Sequence, residues 1–339
     1  MVHFRIVVPS HQAEHTLDLL AHIPSVTNLI YLERAAHKPE GDVILCDVAR
    51  EDASVIVSDL RELEIDTEGS IAIEHIDSHI SDAAVEAEQA AIGMPSDAVV
   101  WEEVESQTSE NIELSASFLA FMVLAMLIAG VGILTDQLIL IIGAMIVGPE
   151  FGPIAGLCVA AVQSRMDLAK RSLAALAVGF PAGIAATLLF TLILDGLDLI
   201  PESFAQEGHP FTAFISDPSW WSILVAYLAG TVGMLSLTAA KSGALIGVLV
   251  SVTTIPAAAN IGIAAALGDW TECAGAAEQL GLNLGSLVLG GVLTLFVQRR
   301  LYMRRRRAHL EHAAREVAGL PIGRSRRATV APKGGAPRG

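Results

Sequence analysis

Glu150 is the residue in this chain best placed to do chemistry. It is the one charged side chain in the 28-residue stretch 137–164. An ionisable group at bilayer depth is expensive, and as a rule it faces a protein interior or water. There it exchanges a proton, binds a cation or pairs with a hydroxyl. No Lys or Arg lies mid-stretch to neutralise it. Helix breakers surround it: Gly148, Pro149, Gly152 and Pro153. Proline withholds a backbone N–H, and its ring clashes with the preceding turn. A second apolar run is interrupted by Thr253, Thr254 and Pro256, followed by Asn260. The hydroxyls of Thr253 and Thr254 are natural partners for the carboxyl of Glu150. Freed backbone groups are tolerated in lipid only inside protein or beside a wet cavity. Broken helices in corresponding halves of a chain therefore point to a substrate- or ion-binding site of a transporter. The plainer alternative is two kinks, closely packed through small residues.

The two interrupted regions belong to similar stretches, 127–161 and 228–266. Gly132 matches Gly233, Gly143 matches Gly247 and Pro153 matches Pro256, at offsets of 101, 104 and 103. With three spans in each copy, an odd number, the second copy would be reversed in the membrane. That predicts an inverted three-helix repeat.

A bilayer core takes about 20 apolar residues per crossing. Six stretches meet that length, near 115–135, 137–163, 172–194, 220–240, 242–268 and 279–298. Together they predict an all-α polytopic domain over 114–298. Basic residues mark cytoplasmic loops. They fall after the second span (Arg165, Lys170, Arg171), after the fourth (Lys241) and after the sixth (Arg299, Arg300 and the run Arg304–Arg307). Charge asymmetry and span number agree on a multi-pass cell-membrane protein with both termini in the cytoplasm. Trp220, Trp221 and Trp270 then fall at the outer interface, where aromatic belts form.

Residues 1–80 read as a small α+β head. Val2, Phe4, Ile6 and Val8 alternate as in a half-buried strand, and Ala13, Leu17 and Leu20 share one helix face. Strands follow at 26–32 and 42–48, then a helix marked by Ile56, Leu60 and Leu63, then a strand at 70–75. The order β-α-β-β-α-β is ferredoxin-like. His11/His15 and His75/His79 have the i, i+4 spacing of metal pairs, but no Cys or acidic pattern completes a ligand set, so no metal site is expected. Residues 81–113, rich in Ala and Glu, read as a helical linker. Trp101 sits either at the membrane interface or in packing. Residues 299–339 form a basic cytoplasmic tail, disordered past 328. It is read as an anchor to anionic lipid, with the acidic head of a neighbouring subunit as the alternative partner.

Composition sets the limits. Hydrophobic residues are 53% of the chain, charged residues 17%, and mean hydropathy is +0.54. That excludes a disordered chain and an ordinary soluble enzyme. Residues 1–114 carry 24 acidic and five basic side chains, residues 298–339 two and twelve. So acidic a head argues against nucleic acid as a partner. Three cysteines with no C-x-x-C spacing give no disulfide framework. No basic segment followed by an apolar run opens the chain, so no signal peptide is expected. Metalloprotease, nucleophile-elbow and phosphate-loop motifs are missing. We therefore expect neither an enzyme nor a cofactor.

Three segments carry a family resemblance: IGAMIVGPEFGPIAGL (142–157), RSLAALAVG (171–179) and GALIGVLVSVTTIPAAANIGIAAALGDW (243–270). They resemble the DUF389 family of uncharacterised hydrophobic membrane proteins, over roughly residues 1–298. The resemblance implies a prokaryotic membrane protein with a small α/β head, and it implies no activity. An aliphatic residue stands at the position of Glu150 in many members. The expected function is a transporter or channel for a small solute or ion, with a cytoplasmic regulatory domain. The alternative is a membrane-anchored sensor or scaffold whose head binds a metabolite or dimerises. Expected partners are membrane lipids, an unknown small solute or ion, and further copies of the chain in a homo-oligomer.

Overall fold

The computed structural model describes residues 1–76, 78–91, 98–201, 204, 215, 219–239 and 254–325. The chain divides into two compact units, residues 1–104 with 298–339, and residues 105–297.

The first unit is built on a four-stranded sheet. Its strands are β1 (Val2–Val8), β2 (Val26–His37), β3 (Glu40–Val48) and β4 (Ser70–His75). They lie in the order β2-β3-β1-β4, with every neighbouring pair antiparallel. The period-two pattern of β1 sends Val2, Phe4, Ile6 and Val8 to one face, all of them buried. Register places Phe4 against Cys46 and Ile73, and Ile6 against Ile44 and Ile71. Two helices supply the opposing apolar faces: α1 (Ala13–Ala21) with Leu19 and Leu20, and α2 (Arg50–Glu62) with Ile56 and Leu60. Burying each such side chain contributes about 1.5–3 kcal/mol. A one-turn α3 (Ile65–Glu68) precedes β4. β2 runs five residues past the expected end at 32. Ala36 and His37 pair with Gly41 and Glu40, so main-chain bonding extends the hairpin where side chains show no apolar alternation.

The linker forms α4 (Asp82–Ala90) and α5 (Trp101–Asn111). Trp101 is in packing, edge-on to Tyr302 at 6.3 Å between ring centres. The basic tail belongs to this same unit. Its last helix, α13 (Ala313–Val317), and the residue after it place Ala314 and Ala318 in the core beside Leu19, Ile56 and Leu60.

The second unit is helical: α6 (Ala116–Leu134), α7 (Leu138–Val147), α8 (Phe151–Gln163), α9 (Met166–Gly196), α10 (Trp220–Thr238), α11 (Thr254–Leu267) and the first part of α12 (Trp270–Leu310). Ser115 and Ser219 cap α6 and α10, accepting from the N–H groups of Phe118 and Ser222. Among the described residues four helices are long and apolar enough to cross a membrane, and α7 with α8 make a fifth crossing if counted as one bent span. The expected span at 242–268 is described only from Thr254; Lys241, Gly247 and Thr253 lie outside the described residues. α9 begins six residues before the uncharged run, and α12 nine before. Charge marks where a bilayer ends, whereas Asp, Lys and Arg are compatible with a continuing helix.

Small residues let these helices approach. Gly179 and Gly183 of α9 face Phe118, Met122 and Met126 of α6. Gly262 of α11 faces the backbone of Ile184 and Leu188 in α9. Gly230 of α10 lies against the backbone of Leu287 in α12, and Gly290 against that of Tyr227. Residues 254–260 of α11 are buried throughout. By contrast Leu189, Ile193, Leu289, Trp220, Trp221 and Trp270 are each more than half exposed, an apolar exterior suited to lipid.

Candidate functional site

The site forms where α7 stops and α8 begins. Gly148 closes α7, donating its N–H to Ala144 at 3.1 Å. Pro149 has no N–H to continue the ladder, and Glu150 is the N-cap of α8. The two helix axes differ by 52°. Pro153 is the third residue of α8, within the first turn, where a missing N–H leaves no intrahelical bond unmade. Ile154 resumes the ladder by donating to the carbonyl of Glu150 at 3.2 Å.

Glu150 is 4% exposed. Its Oε1 accepts the Thr254 hydroxyl at 2.8 Å. Its Oε2 is buried without a hydrogen-bond partner among the described residues. Gly148 creates the space for this carboxyl. A side-chain carbon there would overlap Oε2 and lie 2.8 Å from Cγ1 of Ile255. Gly152 serves a different approach, because a carbon on it would sit 2.6 Å from the Asn111 carbonyl.

The structure thus brings Gly148, Glu150 and Thr254 into one cluster with Ile255, across 104 positions of sequence. Pro149 and Pro153 shape the helix ends at the break, and Pro256 lies in the described part of α11. Thr253 lies outside the described residues. Asn260 is buried and donates to Glu272 of α12 at 3.0 Å, so its amide is engaged elsewhere. Sequence reasoning did not single out Gln279 and Asn283, buried in α12 and joined at 3.3 Å. The signal available for them was two amides at i, i+4 beside an apolar run.

Sequence reasoning also missed a charge cluster in the first unit. Arg315 of the tail is fully buried. It donates to Asp59 and, at 2.8 Å, to Glu62 of α2. His309 meets Asp59 at 2.8 Å and Arg306 reaches Glu62 at 3.3 Å. Asp59 and Glu62 are three residues apart, hence on one helix face. Elsewhere in this unit Asp47 takes His3 at 2.7 Å and Asn28 at 2.6 Å. Burial alone would raise the Asp47 carboxyl, but these partners hold it below the usual carboxylate range. The histidine pairs do not converge. His75 approaches Arg50, while His79 approaches Asp47. Among the described residues no three metal-ligating side chains gather.

The model of the DUF389 family, a domain of unknown function, matches residues 145–289. That is 145 of the 339 residues. The match opens at the end of α7, contains the break and Thr254, and closes within α12, so it takes in α8 to α11 and leaves out α6 and the head. An uncharacterised protein of Methanocaldococcus jannaschii is 24% identical over 204 residues, 56% of this chain and 58% of that protein. The chain thus matches less than two thirds of the length of that curated relative. No solved structure matches it.

Proposed function

We propose that this protein is a transporter or channel for a small solute or ion, with the α7–α8 break as its working site and the head as a regulatory domain. The observation that carries this reading is Glu150, an acid buried at a helix break with one oxygen held by Thr254 and the other unpartnered among the described residues. A polar group kept at such expense in an apolar helix marks a pathway by default. A 52° bend keeps α7 and α8 advancing in one general direction, which supports one broken span over a re-entrant hairpin.

The inverted repeat is part of the proposal. Two features support it: α6 and α10 each have 19 residues, and a long helix, α9 or α12, ends each half. For the head we propose the ferredoxin-like class, supported by the order β2-β3-β1-β4. N- and C-terminal segments share one compact unit, which supports an even number of crossings with both termini on one side, the cytoplasmic side by the basic loops. We further propose no enzymatic role, and as partners membrane lipids and copies of this chain, packed through glycine-rich spans.

The test is flux into liposomes holding the purified full-length protein, over a panel of small ions and organic solutes. Glu150→Gln keeps the shape and removes the ionisable group. Expected is a solute whose flux exceeds that of empty vesicles and falls to that level in the variant, with thermal stability preserved. No flux for any solute, together with a metabolite that stabilises the protein through its head, would favour the sensor reading. The burial of Arg315 against α2 is the observation behind that second reading, because it makes the tail part of the head.

A further inference from the structure

We propose that the species bound at the break is a proton, carried on Oε2 of Glu150, rather than a metal ion. This deepens the transport reading by naming its ion, while the occupancy of Glu150 can be tested apart from any flux.

Three observations lead there. First, Oε2 needs a partner. It is buried, has no hydrogen-bond partner among the described residues, and lies where a side-chain carbon on Gly148 would fall, as does the Ile255 side chain. A bare carboxylate there would be an uncompensated buried charge, far more expensive than a neutral acid with one idle O–H. Second, among the described residues no ion pair reaches Glu150; Lys241 lies outside them. α6, α7 and α11 hold no titratable side chain. α8 holds only Cys158, two turns past the break. The charged groups of α9 are Asp167, Lys170 and Arg171 in its first two turns and Asp195 in its last. Arg165, before α9, is committed to Glu105 and Asp167. Third, a hard cation takes six or more oxygen ligands. At the break a carbon on Gly148 would meet Oε2 and the aliphatic side chain of Ile255, and among the described residues no metal-ligating group of three exists.

The proton is also exchangeable. Glu150 caps α8, and the N-terminal end of a helix favours an anion by about 0.3–1 kcal/mol. Thr254 keeps its hydrogen bond to Oε1 in either state. The step is a proton transfer alone: the O–H bond at Oε2 breaks, its electron pair stays on the carboxylate, and water or the travelling solute takes the proton.

Infrared spectroscopy of the full chain in liposomes, titrated in pH and repeated in D2O, tests this. Wild type should show at neutral pH the C=O band of a protonated carboxyl, shifted in D2O and lost as pH rises. Glu150→Gln should lack it. Buried acids of the head, Glu51 and Glu102, whose carboxyls burial pushes up, give bands that this substitution leaves in place. Thr254→Val should keep the band but move it to higher frequency, since one donor is gone. That variant decides the matter should Glu150→Gln fail to fold: a band indifferent to it belongs to another carboxyl and overturns the proposal. So does a neutral-pH spectrum lacking any band tied to Glu150, or a carboxylate band that responds to Na+ or Mg2+. A pH-sensitive dye in the same vesicles separates the two readings. A Glu150 band without flux retires transport and keeps the proton; flux without the band does the reverse.

Discussion

Replacing Arg315 with Met should release the C-terminal segment from the head. Arg315 is 0% exposed, and the two carboxylates it joins, Asp59 and Glu62, are 1% and 5% exposed. Methionine fills much of the same volume without the charge. It leaves two acids on one buried face of α2 without that guanidinium, while Arg306 and Ser325 still reach Glu62 and His309 still reaches Asp59. Removing one partner from a buried ion pair destabilises by about 3–5 kcal/mol. A domain has about 5–15 kcal/mol in all. In a unit of this size that loss lowers the melting temperature by roughly 10–20 °C. Arg304→Met is the control, because Arg304 is exposed and a surface change is worth within about 0.5 kcal/mol. Calorimetry on the full-length protein in detergent, with hydrogen exchange read on β1 and β3, measures both. Adding Asp59→Asn and Glu62→Gln to Arg315→Met should recover part of the loss, because the two buried carboxylates are then neutral while Arg306 keeps its charge. Equal, small effects of Arg315→Met and Arg304→Met would refute the reasoning and return the tail to the role of a lipid anchor.

Two further outcomes follow from single residues. Gly148→Ala should destabilise by about 1–3 kcal/mol, since the added carbon meets Glu150 and Ile255, whereas Gly143→Ala, with nothing within 4 Å, should be neutral or slightly stabilising; thermal unfolding in detergent ranks them. Asp42 is held below its ordinary value of 3.8, first by the Arg34 backbone N–H, against burial, and then by the hydroxyls of Tyr31 and Ser10. A carboxyl held low in the fold contributes stability that is fully present above its unfolded value and lost as pH falls through the folded one. Asp42→Asn should therefore weaken the head at neutral pH and flatten its acid limb. Unfolding midpoints that fall in parallel for both proteins on acidification would contradict this.

Much of the candidate site was legible in the chain. A lone acid in an apolar run and paired breakers marked Glu150, Gly148 and Thr254 before any geometry was known. That Thr254 meets Glu150 was not legible, because which side chain of one helix faces a distant one depends on the rotation and depth of α11 against α7. Asn260 shows the same limit: its residue type suits a cavity, yet packing turns it to Glu272.

The sequence by itself determined the elements of the head, the apolar helices and the break, because period, proline and charge act within a few residues of chain. Only the tertiary structure decided the fate of the tail. Asp59 and Glu62 read as solvated acids and Arg315 as one basic residue among twelve in the tail. They are in fact buried together across more than 250 positions of chain. Charge in a sequence has no depth. Whether an acid faces water or a buried arginine is settled when distant segments close over it and desolvate both at once.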